Sequence, residues 1–166
     1  MRVLGIDPGT SKDNFGWGII DINKEKHGFS YCDSGIYRLS PKLSFGYKLR
    51  YIGEHVSDLI ADYGVELMSV EAFFAFGKTK GAGRIHQLRG VLEYMSAVHD
   101  IPFVDIAPMT VKKVVTGSGK ASKKQVSNAV AKHLGVPELK KRTSHETDAL
   151  AIALCGRHIQ LKKSNE

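Results

Sequence analysis

The chain has 166 residues, 24 lysines and arginines against 17 acids, and a formal charge of +7. That length gives one domain able to bury a core without staples, and the basic balance favours a polyanionic partner, nucleic acid first. The two cysteines, Cys32 and Cys155, stand far apart, which excludes a disulfide framework and a paired-cysteine zinc site and fits reduced packing residues in a cytoplasmic protein. Met1-Arg2 leads directly into a strand pattern with no signal peptide, and no apolar run approaches a membrane span.

The first element is a strand over 2–8, carrying most of "VLGIDPGT", which ends on Asp7 and is stopped by Pro8-Gly9. Alternating residues predict two further strands, "NFGWGIID" over 14–21 and "GFSYCDSGIYR" over 28–38, and the three form an antiparallel start. The period then changes. Leu49, Ile52, Val56, Leu59 and Tyr63 share one face of a helix over 43–63, with Gly64 as its C-terminal cap. Residues 65–71 run apolar to Glu71 and predict a buried strand. A loop of glycine, lysine and aromatics, "FFAFGKTKGAG", fills 73–83. A helix over 84–99 places Ile85, Leu88, Leu92 and Met95 on one face, and "IPFVDIAP" over 101–108 is a short strand. Helices follow over 109–116, 121–134 and 143–160, with "GSGKAS" between the first two and Gly135-Val136-Pro137 ending the second. Strands followed by βα crossovers imply an α/β fold, a mixed sheet with helices on both faces.

Three acids occupy unusual positions. Asp7 closes the first strand, Glu71 closes the strand "LMSVE", and Asp148 sits early in the apolar helix "TDALAIAL". Singly, each has an ordinary explanation: a turn cap, an exposed strand end, a partner for a helix N-terminus. Together they point to a shared site, because the first and fourth strands can be neighbours and both carboxylates then emerge at one edge. Unpaired carboxylates beside apolar strands are costly, and a divalent cation is the usual remedy. Oxygen ligands suit Mg2+, with Mn2+ as a substitute. Thr143-x-x-Glu146 fits a capping box, so the last helix starts at 144 with Glu146 engaged in its cap. His145 and Asp148, three residues apart, share the face that continues to Ile152. His145 serves equally as a surface histidine or as a fourth ligand or proton carrier. A site of this kind holding two ions suits in-line attack on a phosphodiester.

The segments "GIDPGT", "VEAFF", "RGV", "VKKVVTGSGKASKKQV" and "TDALAIAL" resemble, in order and spacing, the RuvC Holliday-junction resolvases over most of the chain. The resemblance does not separate bacterial from viral members. It implies an RNase H-like five-stranded fold in a single nuclease domain over 1–160, followed by a short polar tail over 161–166. It also implies a homodimer and cleavage of four-way and other branched DNA with two ions per subunit. Asp7, Glu71 and Asp148 match the family's acids, and His145 stands where many members have another aspartate. Phe74 matches an aromatic that stacks on an unpaired base, with Phe73 and Phe76 as rivals. Lys112 and Lys123 match basic residues that face the scissile phosphate or its neighbours, so that Lys112 joins the catalytic set; Lys120 and Lys124 are close alternatives. Arg84 and Arg89 lie near the proposed dimer helix and either touch phosphate or pair with an acid. The first hairpin, "GTSKDNFGWG", is longer than is usual in the family. A branch-migration motor as partner is neither implied nor excluded by these residues.

Other readings fit less well. "GIDPGT" also resembles the first phosphate loop of the actin, Hsp70 and sugar-kinase group, but one domain cannot build that interdomain cleft and no second phosphate loop is visible. "GSGKAS" fails as a P-loop, because Val114 stands at the first glycine position and Ala121 replaces the hydroxyl residue. A relative of the same fold that cuts RNA–DNA hybrids, and a non-catalytic binder of branched DNA, are the two alternatives. The acids argue against the second.

Overall fold

The structure is a computed structural model that describes residues 1–9, 14–23, 28–72 and 82–163. Three strands, β1 (Arg2–Asp7), β2 (Asn14–Asn23) and β3 (Gly28–Arg38), lead into helix α1 (Phe45–Tyr63). Then come β4 (Leu67–Glu71), α2 (Ala82–Val98), β5 (Phe103–Ile106), α3 (Pro108–Thr116), α4 (Lys123–Leu134) and α5 (Ser144–Lys163). The expected order of elements is therefore present. Strands β4 and β5 are shorter than predicted, and α5 runs to Lys163, into the stretch predicted as a polar tail from 161. A 3-10 helix over Pro137–Lys141 was not expected; it tucks Leu139 into the core.

The five strands form one sheet in the order β3-β2-β1-β4-β5. β1, β2 and β3 pair antiparallel, whereas β1–β4 and β4–β5 pair parallel. This is the mixed sheet that the element order implies. In β1, Ile6 lies opposite Val70 of β4 and Asp7 lies opposite Gly16 of β2. The carboxyl ends of β1 and β4 are thus side by side, which puts Asp7 and Glu71 at one sheet edge.

Alternation along the strands fills two cores. On one face Leu4, Ile6, Ile19, Met68 and Val70 pack against Ile52, Val56 and Leu59 of α1 and Leu88 and Leu92 of α2. On the other, Val3, Ile20, Leu67 and Ile106 pack against α3, α4 and α5 through Val111, Val130, Leu150 and Ile152. Helix α1 ends as predicted, with Gly64 left-handed (φ 59°) and its N–H bonded to Ile60 O. Among the described residues no helix is long and apolar enough to cross a membrane.

Helix α5 lies unusually close to the sheet. A Cβ on Gly5 would stand 2.0 Å from the Ala149 carbonyl oxygen and 2.5 Å from the Ala153 nitrogen. A Cβ on Gly16 would stand 2.5 Å from the His145 carbonyl oxygen, and one on Gly18 would stand 2.7 Å from Leu150 Cγ. Backbone approach requires glycine at positions 5 and 16, whereas at Gly18 the Leu150 side chain is the nearest obstacle. Ser69, fully buried in β4, donates its hydroxyl toward Leu4 O (3.3 Å) and Ile152 O (3.2 Å), which ties the same helix to the middle of the sheet.

Candidate active site

Asp7, Glu71, His145 and Asp148 line one cleft of about 270 Å³ together with Lys112 and Lys123. Pro108, Val111, Val126 and Ile152 supply its apolar walls. Three acids and one imidazole from β1, β4 and α5 therefore line a single cleft. Two different causes bring them there. Parallel pairing sets Asp7 beside Glu71. The glycine track draws the first turns of α5 onto β1 and β2, so His145 and Asp148 overhang the strand ends.

Asp7 is 7% exposed and does two things. Its Oδ1 accepts the Gly9 N–H at 3.0 Å, so it does cap its own turn. Its Oδ2 meets His145 Nδ1 at 2.7 Å. The turn cap therefore does not take Asp7 out of the cleft, since its second oxygen faces His145. Burial, then the charges of Asp7 and Asp148, push the Glu71 carboxyl up to about 7, against the opposing pull of Lys123 and Lys112. Burial is also the largest cause raising Asp148; Lys123 opposes it, 3.3 Å away from Nζ to Oδ2. Desolvation, ahead of charge, therefore disfavours the ionised form of both carboxylates.

A divalent cation fits the chemistry of this donor set, hard carboxylate oxygens with one imidazole. The side chains are not already arranged around one, since among the described residues no group of three acids, histidines or cysteines forms a ready metal site. Two of the carboxylates are already engaged, Asp7 by His145 and Asp148 by Lys123.

The basic residues separate. Lys112 and Lys123 line the cleft. Lys120 and Lys124 are exposed and do not. The Arg84 guanidinium lies 5.2 Å from the centre of the Phe45 ring. Arg89 is committed to acids: it bonds Asp105 through Nε at 2.9 Å and again through Nη2, and Glu93 through Nη1 at 2.8 Å. Of its two expected roles, Arg89 fills the acid-pairing one; β5 places Asp105 one strand beyond the site, within its reach. Phe73, Phe74 and Phe76 lie outside the described residues, as do 10–13 of the first hairpin.

The capping box is present. Thr143 Oγ1 donates to Glu146 Oε2 at 2.9 Å, and the Glu146 N–H returns to Thr143 Oγ1 at 3.4 Å. The sequence did not reveal that Glu146 is also buried and reaches Arg142 (3.2 Å) and Ser34 of β3 (3.4 Å). Nor did it reveal the glycine track, although Gly16 and Gly18, alternating on one strand face, are a signal for close backbone approach.

The sheet order, the helices on both faces and the acid-lined cleft at adjacent strand ends define an RNase H-like domain. A family model for the crossover junction endodeoxyribonuclease RuvC matches residues 3–156. The RuvC of Fusobacterium nucleatum subsp. nucleatum is 36% identical over 159 residues, 96% of this chain and 80% of that protein. A structure of Thermus thermophilus RuvC matches with a TM-score of 0.85 at 27% identity, covering 98% of this chain and 97% of that one. A second, of T. thermophilus RuvC in complex with a Holliday junction substrate, shares the fold (TM-score 0.83, 24% identity, 98% and 96% covered). The chain belongs to the RuvC family of crossover junction endodeoxyribonucleases.

Proposed function

We propose that this protein nicks four-way (Holliday) and related branched DNA junctions by metal-assisted hydrolysis of a phosphodiester. Family membership implies dependence on a divalent metal; Mg2+, replaceable by Mn2+, with two ions per subunit, is the finer reading. The observation that carries it is the meeting of Asp7, Glu71, Asp148 and His145 in one cleft rimmed by Lys112 and Lys123.

Bound cations would supply an activated water and stabilise the departing oxygen. The chain's own residues do the rest. Asp7, Glu71 and Asp148 offer carboxylate oxygens from three elements. His145, with Nδ1 turned to Asp7, leaves Nε2 for a ligand or a proton. Lys112 and Lys123 draw the phosphate to the mouth of the cleft and offset its charge. The basic balance of the chain supports binding to DNA along the surrounding surface.

The working unit is a homodimer, because paired nicks across a symmetric junction call for two sites related by a two-fold axis. Exposed Tyr94 and Val98 on α2 and Tyr47 on α1 support an apolar contact on that side of the sheet. Soluble cytoplasmic placement agrees with this activity.

The test is incubation of the pure protein with labelled four-way, three-way and linear DNA, with Mg2+, with Mn2+ and with chelator, followed by nick mapping. Paired nicks near the branch point, present with metal and absent with chelator, are expected. Asp7→Asn should abolish nicking and leave junction binding intact or tighter, since less negative charge then faces the DNA. Uniform cutting of linear duplex, or junction binding without nicks in either metal, would overturn the proposal.

A further inference from the structure

We propose that Lys123 is a resident counter-ion for Asp148, displaced when a divalent cation loads and thereby released toward the DNA phosphate. The proposal rests on the metal-dependent reading of the cleft given above.

Lys123 is the first residue of α4. The start of that helix is fixed by a complete capping box: Gln125 N–H bonds Ser122 Oγ (3.3 Å), and Ser122 N–H bonds Gln125 Oε1 (2.8 Å). The ammonium reaches from this fixed point to Asp148 Oδ2 at 3.3 Å. The two partners differ in burial. The lysine side chain is 74% exposed and the aspartate 27%, so the cation enters from the rim while the anion stays in the cleft. Lys112 lines the same cleft but forms no ion pair among the described residues.

Local preference does not explain the lysine. The first turn of α4 holds no acid, and Lys123 and Lys124 both sit where the helix field disfavours a cation. Contact with Asp148 offsets that cost. The contact is also weak enough to exchange, because exposed pairs contribute little. A dication on the same carboxylate repels the ammonium directly. Once released, Lys123 and the amino end of α4 both favour an anion, so one movement converts a filler of the cleft into a phosphate contact. Coupling of this kind opens the phosphate site only after the metal site is filled.

The test uses the full chain without DNA. Mn2+ affinity is measured by the paramagnetic resonance signal of free Mn2+ for the wild type, Lys123→Met and Lys112→Met. Both variants remove one positive charge from the rim, but only the first removes the contact. Lys123→Met should bind Mn2+ about two- to five-fold tighter than the wild type and tighter than Lys112→Met. In the wild type, an amine-reactive label read by mass spectrometry should modify Lys123 faster when Mn2+ is present, with Lys120 unchanged. Equal affinities for the two variants, or labelling of Lys123 indifferent to Mn2+, would overturn the exchange while leaving the metal site standing. A wild type that binds no Mn2+ would bring down both.

Discussion

Glu71 should make the metal-free protein less stable at neutral pH than its neutral isostere would. Its carboxyl is pushed from 4.5 up to about 7 by burial and by the charges of Asp7 and Asp148. The sign follows from linkage. A carboxyl raised in the folded state favours folding in its neutral form, so that contribution is complete below 4.5 and is lost as pH climbs through about 7. Full linkage over that interval corresponds to about 3 kcal/mol. Glu71 is only half-buried, and solvent screening reduces the figure to about 1–2 kcal/mol. In a protein of this size, 1 kcal/mol moves the thermal midpoint by about 2–4 °C. With chelator at about pH 8, Glu71→Gln should therefore unfold a few degrees above the wild type, and the gap should close at about pH 4. Adding Mn2+ at the higher pH should raise the wild type and move the variant much less. The assay is scanning calorimetry of both proteins across pH, with and without metal. A variant less stable than the wild type in chelator at about pH 8 would refute the reasoning, because Glu71 would then be a net stabiliser.

Gly16→Ala should push the first turn of α5 off the sheet, because the new Cβ would stand 2.5 Å from the His145 carbonyl oxygen with backbone on both sides. The expected cost is about 1–3 kcal/mol in urea unfolding, with junction nicking falling further than junction binding; unchanged nicking would show that α5 tolerates the shift. Glu146→Ala should cost about 1–2 kcal/mol, since the helix loses its cap and Arg142 and Ser34 lose a buried partner. Glu146→Gln, which keeps the acceptor for Thr143, should recover most of that in the same denaturation experiment.

The acids were legible because each is marked by its own neighbours. Asp7 precedes Pro8-Gly9, Glu71 ends an apolar run, and Asp148 interrupts an otherwise apolar helix. What they do to one another was not legible. The contacts of His145 with Asp7 and of Lys123 with Asp148 join residues 138 and 25 positions apart, and no local pattern encodes them. Arg89 shows the same limit. Its pairing with Asp105 depends on β5 lying beside β4, a fact of topology rather than of spacing. The 3-10 helix escaped for another reason. Five residues have no room for a hydrophobic period, and Pro137, read as a terminator, is in fact its first residue. The long α5 was found as an apolar helix with Ile152 toward the sheet, but not as one buried on every side. Ala149 to Cys155 are all buried, and the unbroken apolar run "ALAIALC", with no polar stripe, is the signal of it.

The position of the cleft follows from two constraints that do not depend on its chemistry. Parallel strands in register must end together, so Asp7 and Glu71 are neighbours whatever they bind. A helix that crosses a sheet on glycines must lie nearly in backbone contact, so His145 and Asp148 are carried over those ends whatever they bind. The chemistry then arises from charge. Two apolar cores force three carboxylates into a small mouth, and the protein answers with a histidine on one and a lysine on another, leaving Glu71 with the largest deficit. A cleft left in that state gains more from a dication than a solvated acidic patch would, because the desolvation cost has already been met by folding. Affinity for metal and strain without it are thus the same property of the fold. Any substitution that relaxes the metal-free cleft should weaken its hold on the ion by removing what made the ion welcome, with Lys123 as the exception, because it competes for the ion's place rather than creating the need for it.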